Sequence, residues 1–282
     1  MSSVETVGLL HPGQMGSAVA AQIANNGHAV LWCPDGRSPA THRRAEDAGL
    51  RPVPLEQLLA DSEIVVSICP PAVAEEIAAT VADIGYRGIY VEANAISPGC
   101  LQRISARLTD AGATVIDGCF FGPPPSGQPP TRLYLAGVPT ASRRVAGLFA
   151  DSLVERVILG EQSGQASALK MAFACFQRTS RVAAALAHAL ADDHGITETL
   201  LIEAERMPSD VLTNRDFLPS VAARAWRWAP EMHEVAETLR AQHLPPDLAL
   251  ATAALLHHWA GNTHNTTELT NPASILRYLH VP

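Results

Sequence analysis

Lysine is almost missing from this sequence: Lys170 stands alone against nineteen arginines. Aromatic residues are scarce too, at 5%, while hydrophobic residues reach 47% and charged ones 17%, so a core must be built mainly from Ala, Val, Leu and Ile. No basic block occurs and the net charge is -8, which argues against a nucleic-acid or anionic-membrane surface; any anion has to be bound locally. The five cysteines (Cys33, Cys69, Cys100, Cys119, Cys175) are odd in number and never spaced CxxC. Neither a disulfide framework nor a structural zinc site is expected, and a reducing, cytoplasmic setting is. No run approaches a membrane span, and the first apolar run, Val7 to Leu10, is too short for a signal peptide. Outside the secretory route the Asn265-Thr266-Thr267 triplet reads as a chance sequon.

What is present centres on residues 163–195, around the lone lysine. Between Glu161 and Arg178 nothing but Lys170 is charged, and Ala166, Leu169, Phe173 and Phe176 recur at helical spacing, which predicts a mostly buried helix. Arginine offers more donors for an ion pair but cannot release its proton, whereas a desolvated lysine can be tuned for proton transfer. A genome biased towards arginine would also leave a solitary lysine, so the count alone assigns no role.

The start of the chain adds weight. Residues 4–10 read as a buried strand, 11–28 as a tight turn, a small-residue helix and a glycine stop at Gly27, and 29–33 as the next strand. This is the opening of a dinucleotide-binding domain. The expected GxGxxG appears as His11-Pro12-Gly13-Gln14-Met15-Gly16, with His11 where the first glycine belongs. The two remaining glycines are those that admit a diphosphate over the helix amides and pack helix on strand. Helices near 41–48, 55–59, 73–82 and 99–111 alternate with strands at 63–69, 88–94 and 113–118, which implies a parallel sheet covered on both faces. The stretch 120–131 is too rich in proline and glycine for regular structure, and further strands are expected at 132–137 and 155–160. Helical segments follow at 198–205, 220–243 and 247–259, broken at Pro208, Pro219 and Pro245-Pro246, with Pro230 a kink or a first-turn proline. The tail from Asn262 should pack through Ile275, Leu276 and Leu279. The fold class expected is thus α/β: a Rossmann-like domain over 1–162, then an all-helical domain over 163–282 entered by a long interdomain helix, 163–194.

In order and spacing, VGLLHPGQMG, EANAISPG, DGCFFGPPP, TRLYLAG, SALKMAF and AWRWAPEM resemble the β-hydroxyacid dehydrogenase and 6-phosphogluconate dehydrogenase superfamily, in a branch whose helical C-terminal domain has no assigned function. The resemblance covers nearly the whole chain. It implies a catalytic lysine on the long helix, at Lys170, and a homodimer whose helical domains contribute to each other's substrate clefts. It also implies hydride exchange between a nicotinamide and a carbonyl or alcohol, with the lysine handling the hydroxyl proton. The departures are specific. Where relatives carry D-x-S-T-x-x-P the chain has Glu92-Ala93-Asn94-Ala95-Ile96-Ser97-Pro98, and where they carry D-A-P-V-S-G-G it has Asp117 to Pro123 with Phe121 replacing the serine; the asparagine one turn after the lysine is Ala174. Partners of a small hydroxy-acid carboxylate are thereby lost, and an unpartnered buried carboxylate costs several kcal/mol, roughly enough to abolish binding. A larger or more apolar carbonyl or imine substrate is expected, contacting Asn94, Phe121, Gly122 and Trp226.

After the second strand, Arg37 and Ser38, with Thr41 close behind, match the superfamily's signature for the adenosine 2′-phosphate, while Asp35 would favour the 2′-OH of NAD. NADP is therefore expected over NAD, with His11 to Gly16, Cys69, Pro70 and Asn94 along the cofactor. His257 and His258 are adjacent on a helix and point apart, so no metal site is expected. Trp226, Trp228 and Met232 read as core that the superfamily places near the cleft, and Glu231 as a solvated helix-start carboxylate. Three functions follow from these residues: an NADP-dependent carbonyl reductase or alcohol dehydrogenase using Lys170, an imine reductase, and a protein that binds NADP(H) without turnover.

Overall fold

The computed structural model describes residues 4–127, 129–207, 209–211, 214–260 and 272–279. The Asn265 sequon and the Pro208 break lie outside the described residues. The chain divides into two compact units, Met1–Lys170 and Met171–Pro282.

The first unit is a single sheet. Strands β1 (Thr6–Leu10), β2 (Ala29–Trp32), β3 (Arg51–Pro52), β4 (Ile64–Ser67), β5 (Ile89–Glu92), β6 (Thr114–Phe121), β7 (Thr131–Ala136) and β8 (Val154–Gly160) run in the order 3-2-1-4-5-6-7-8. Helices α1 (Gln14–Asn25), α2 (Pro39–Asp47), α3 (Leu55–Asp61), α4 (Ala74–Ile84), α5 (Pro98–Asp110) and α6 (Pro139–Gly147) connect them. The central strands are buried on both faces. Val7, Leu9, Ile64 and Val66 join one hydrophobic cluster, and Leu10 and Val65 the other, which is why these strands read as unbroken apolar runs.

The strands from β1 to β6 pair in parallel, but the all-parallel alternation stops there: β7 runs antiparallel to β6, and β8 is parallel to β7. The physical reason is length. Nine residues separate β6 from β7, fewer than the dozen or so that a parallel crossover needs. The expectation of irregular chain from residue 120 is corrected as well, since Phe120 and Phe121 complete β6.

The second unit is helical: the remainder of α7 (Gln165–Asp193), α8 (Thr197–Glu205), α9 (Leu218–Ala241), α10 (Asp247–Ala260) and α11 (Pro272–Arg277). Helix α9 buries Leu218, Val221, Ala222, Ala225, Trp228, Ala229, Met232, Val235 and Ala236, a stripe at i, i+3, i+4 spacing, and continues through Pro230. Its main partner is α10, which offers the small Ala249 and Ala253, and Trp259 Nε1 donates to the Ile275 carbonyl at 2.9 Å to dock the buried Ile275, Leu276 and Leu279. The expectation of a mostly buried lysine helix is corrected for its middle: Phe173 and Phe176 are exposed, the latter by 71%. Among the described residues, no helix is long and apolar enough to cross a membrane.

Candidate active site

The turn after β1 is built around a histidine doing a glycine's work. His11 adopts φ 75°, a left-handed conformation that glycine takes freely and that costs a side-chain-bearing residue about 1–2 kcal/mol. The close approach is at Gly16, where a Cβ would lie 2.4 Å from the His11 carbonyl oxygen. Gly13 caps α1 without a side-chain bond, has open space where its Cβ would be, and no acidic residue occupies the first helical turn. The helix therefore presents unpaired amides and a positive dipole end, the environment a diphosphate needs.

Loop residues after β2 close on this turn. Arg37 Nη1 donates to His11 Nε2 at 2.5 Å. Burial, and then the Arg37 charge, pull the His11 pKa down to about 4, so the imidazole is a neutral acceptor near pH 7. Arg44 Nε donates to the Pro12 carbonyl at 3.3 Å and its Nη2 to Thr41 Oγ1 at 3.0 Å, a link that motif reading missed. Ser38 caps α2, accepting from the Thr41 amide at 3.3 Å. Beside them lies a cavity of about 190 Å³ lined by Leu10, His11, Cys33, Arg37, Leu55 and Ile77. Arg37 Nε is buried without a hydrogen-bond partner, and together with the open glycine turn this arrangement fits a nucleotide cofactor that ends in an anion.

At the carboxyl ends of β4 and β5, Ser67 and Glu92 stand side by side in register, with Asp117 next to Glu92 midway along β6. Asn94 ties the row together. Its Oδ1 accepts from the Cys69 amide at 2.5 Å, its Nδ2 donates to Ser67 Oγ at 3.1 Å, and its own amide donates to Glu92 Oε1 at 3.0 Å. Cys69 is no nucleophile, because burial above all pushes its thiol up to about 12. Pro70 follows it and leads into a short 3-10 turn, 71–73, ahead of α4. Glu92 is fully buried and its Oε2 has no partner; burial raises its pKa to about 8 against the pull of Asn94.

That shift sets the sign of a pH effect. The folded state holds the Glu92 proton more tightly than the unfolded state, so between about pH 4.5 and 8 this group makes stability fall as pH rises. Glu92→Gln, which cannot ionise, is expected to melt higher than wild type at pH 8 and to lose the advantage near pH 4.5. Melting curves across that range check it, and parallel curves for the two proteins would refute it.

Asp117 anchors the lysine helix. It accepts from the amides of Gly164 (2.9 Å), Ala166 (2.8 Å) and Ser167 (3.1 Å) and from Ser167 Oγ (2.6 Å), satisfying the orphan donors that open α7. Burial nonetheless raises its pKa, with the Ser167 hydroxyl opposing. Three residues on, along both β6 and α7, Lys170 Nζ donates to the Phe120 carbonyl at 2.7 Å and lies 4.6 Å from the centre of the Phe121 ring. The cap thus fixes where the ammonium meets β6. Phe121 is buried, packed edge-on against Tyr134 at 5.3 Å, so it forms a floor beneath Lys170. Gly122 follows with φ 96°, and a Cβ there would press on the Pro130 carbonyl at 3.0 Å.

The first unit thus brings together His11 to Gly16 with Arg37, Cys69 with Asn94, and Phe121 with Lys170. Trp226 belongs to the helical unit and is half exposed. Glu231 is corrected: it is not solvated but 3% exposed, ion-paired with Arg178 in mid-helix. A second cavity of about 410 Å³, lined by Glu5, His28, Arg143 and Arg144, lies at the amino ends of β1 and β2, away from the carboxyl ends where a cofactor crevice forms. Among the described residues no group of three or more His, Cys, Asp or Glu is placed to hold a metal.

Comparison with known proteins agrees with this fold. Residues 6–95 match the family described as NADP oxidoreductase coenzyme F420-dependent, and residues 191–259 match a domain of unknown function, DUF1932. The chain pairs an NAD(P)-binding domain with DUF1932, in a 3-hydroxyisobutyrate dehydrogenase-like fold. No curated protein matches it by sequence. Among solved structures, a Mycobacterium tuberculosis 3-hydroxyisobutyrate dehydrogenase studied with L-serine superposes with a TM-score of 0.76 at 16% identity, covering 99% of this chain and 100% of that one. A Streptomyces aurantiacus imine reductase gives 0.60 at 18% identity over 98% and 100% of the chains. An Aspergillus terreus reductive aminase in complex with NADPH and ethyl levulinate gives 0.57 at 16% identity over 99% and 100%. Such identities carry the fold alone, and the match over residues 6–95 supports NAD(P)-dependent oxidoreductase chemistry.

Proposed function

We propose that the protein is an NADP-dependent oxidoreductase acting on a carbonyl or alcohol larger or more apolar than a simple 3-hydroxy acid. The observation that carries the reading is Lys170, held on the Phe120 carbonyl near the carboxyl end of β6 by the helix that Asp117 caps. A bound nicotinamide supplies hydride. Lys170 gives the proton to the carbonyl oxygen in reduction or takes it in oxidation, as a general acid or base. The α1 amides hold the diphosphate, Arg37 with Ser38 and Thr41 receives the 2′-phosphate, and Asn94 orients the nicotinamide amide or the substrate carbonyl. In this reading residues 1–162 bind the cofactor and 163–282 supply the substrate cleft, with Trp226, and the dimer contact.

An imine reductase is the second reading, favoured by the fold shared with imine reductases and the reductive aminase. A panel of carbonyls and imines incubated with NADPH separates the two, and complete inactivity across it would leave only NADP(H) binding without turnover.

NADPH is expected to bind more tightly than NADH, and Arg37→Ala to narrow the gap, since charge-assisted bonds to a phosphate contribute about 1.5–3 kcal/mol. Calorimetric titration of both cofactors checks it, and equal affinities in the wild type would give the choice to Asp35. A homodimer is expected as well, because Phe176, Leu190, Ile202 and Trp226 leave apolar surface on the helical unit. Light scattering that returned only the monomer mass, 29.9 kDa, would overturn it.

A further inference from the structure

Four arginines gather on the helical unit: Arg178 and Arg181 from α7, Arg224 and Arg227 from α9. Arg178 is 5% exposed and pairs with Glu231, while Arg227 Nε approaches the other oxygen of the same carboxylate at 3.4 Å. The Arg178 and Arg181 guanidinium carbons lie 5.1 and 6.0 Å from the centre of the Trp228 ring, and Arg181 is 5.8 Å from that of Phe217. Arg224 sits one helical turn before Arg227 and Trp228, its Nη1 turned back on Ser220.

Charge is out of balance here. Glu231 alone answers four guanidiniums; among the described residues neither Arg181 nor Arg224 has a carboxylate within 4.0 Å. Arg178 Nε is buried with no hydrogen-bond partner. Burial lowers the pKa of all of Arg178, Arg181 and Arg227, and the neighbouring arginines lower them further, a sign that the positive groups repel across the cluster. In a protein of net charge -8 such a concentration of one sign is not a general surface property. Uncompensated charge next to a buried pair is costly, and an incoming anion relieves it. Guanidinium forks match the two-oxygen edge of a carboxylate or phosphate, and a flat ring beneath them keeps their planes aligned.

We propose that this cluster is a binding site for a small carboxylate- or phosphate-bearing ligand, held by the forks of Arg181 and Arg224, with Arg227 beside them and the Arg178–Glu231 pair and Trp228 beneath. The site stands on the helical unit by itself and does not rest on the oxidoreductase reading.

The test is calorimetric titration of the full-length protein with inorganic phosphate and, separately, with propionate, at ionic strength held constant with chloride. One or both anions are expected to bind, and Arg181→Gln/Arg224→Gln to weaken that binding at least 10-fold, while Arg206→Gln, at the C-cap of α8 and ion-paired on the surface with Glu203, leaves it unchanged. The anion that binds identifies the ligand's group. The double variant should melt no lower than wild type, since repulsion is relieved. Arg181→Lys, which keeps the charge and loses the fork, should also weaken binding and covers the case of a misfolded double variant. NADPH affinity, measured alongside, should be the same in all variants, which separates this site from anion binding at the glycine turn. Absence of binding by both anions, or equal binding in the double variant, would overturn the proposal.

Discussion

Lys170→Arg is expected to leave the melting temperature and NADPH affinity near wild type while slowing the chemical step by about 10²–10⁴, the usual contribution of a general acid. The longer side chain keeps the charge, can still donate to the Phe120 carbonyl and can still stack on Phe121, but it cannot surrender its proton. Lys170→Met should bind the cofactor too, with stability kept or raised by loss of a partly buried charge. A purely structural lysine predicts the reverse ranking, with arginine tolerated and methionine damaging. Melting temperature, NADPH affinity and single-turnover rate for both variants decide the matter, and an unchanged rate in Lys170→Arg would end the catalytic assignment.

The second large effect concerns stability in the helical unit. Glu231→Ala removes the carboxylate from a guanidinium that is 95% shielded, and an unpaired buried charge of this kind costs about 3–5 kcal/mol. Replacing both partners, Arg178→Met with Glu231→Leu, should restore most of it, because neither desolvated charge remains. Urea unfolding followed by tryptophan fluorescence is suited to the measurement: Trp226, Trp228 and Trp259, three of the four tryptophans, lie in this unit. A loss below about 1 kcal/mol for Glu231→Ala, the level of an exposed pair, would show that the pair is solvated.

The central strands were legible in the sequence because both of their faces are buried, so each is an apolar run between turns. Where that condition fails, so does the reading. Strand β3 is two exposed residues, Arg51 and Pro52, with no pattern to detect. Helix α6 hides its buried face behind small residues, Ala141 and Ser142, and behind Arg143 and Arg144, although Pro139 at its first turn was a usable start signal. The reversal of β7 was encoded only in the length of a loop.

The site divides along the same line. Gly13, Gly16, Arg37, Asn94 and Lys170 were visible as local motifs. The bonds that give them geometry join residues far apart in the chain: Arg37 to His11 across 26 positions, and Asp117 to Ser167 across 50. Glu231 was misread for a related reason. Pro230 beside it suggested a helix start, whereas α9 begins at Leu218 and the carboxylate's buried partner, Arg178, comes from another helix.

Scarcity of lysine also gives the protein a built-in reporter. A reagent that acylates primary amines finds one side-chain target in the whole sequence, and in the resting fold that amine is engaged with the Phe120 carbonyl. The rate of labelling at Lys170 therefore counts how often the ammonium lets go of β6 and loses its proton, and protection by an added small molecule would reveal occupancy next to the amine without any turnover assay.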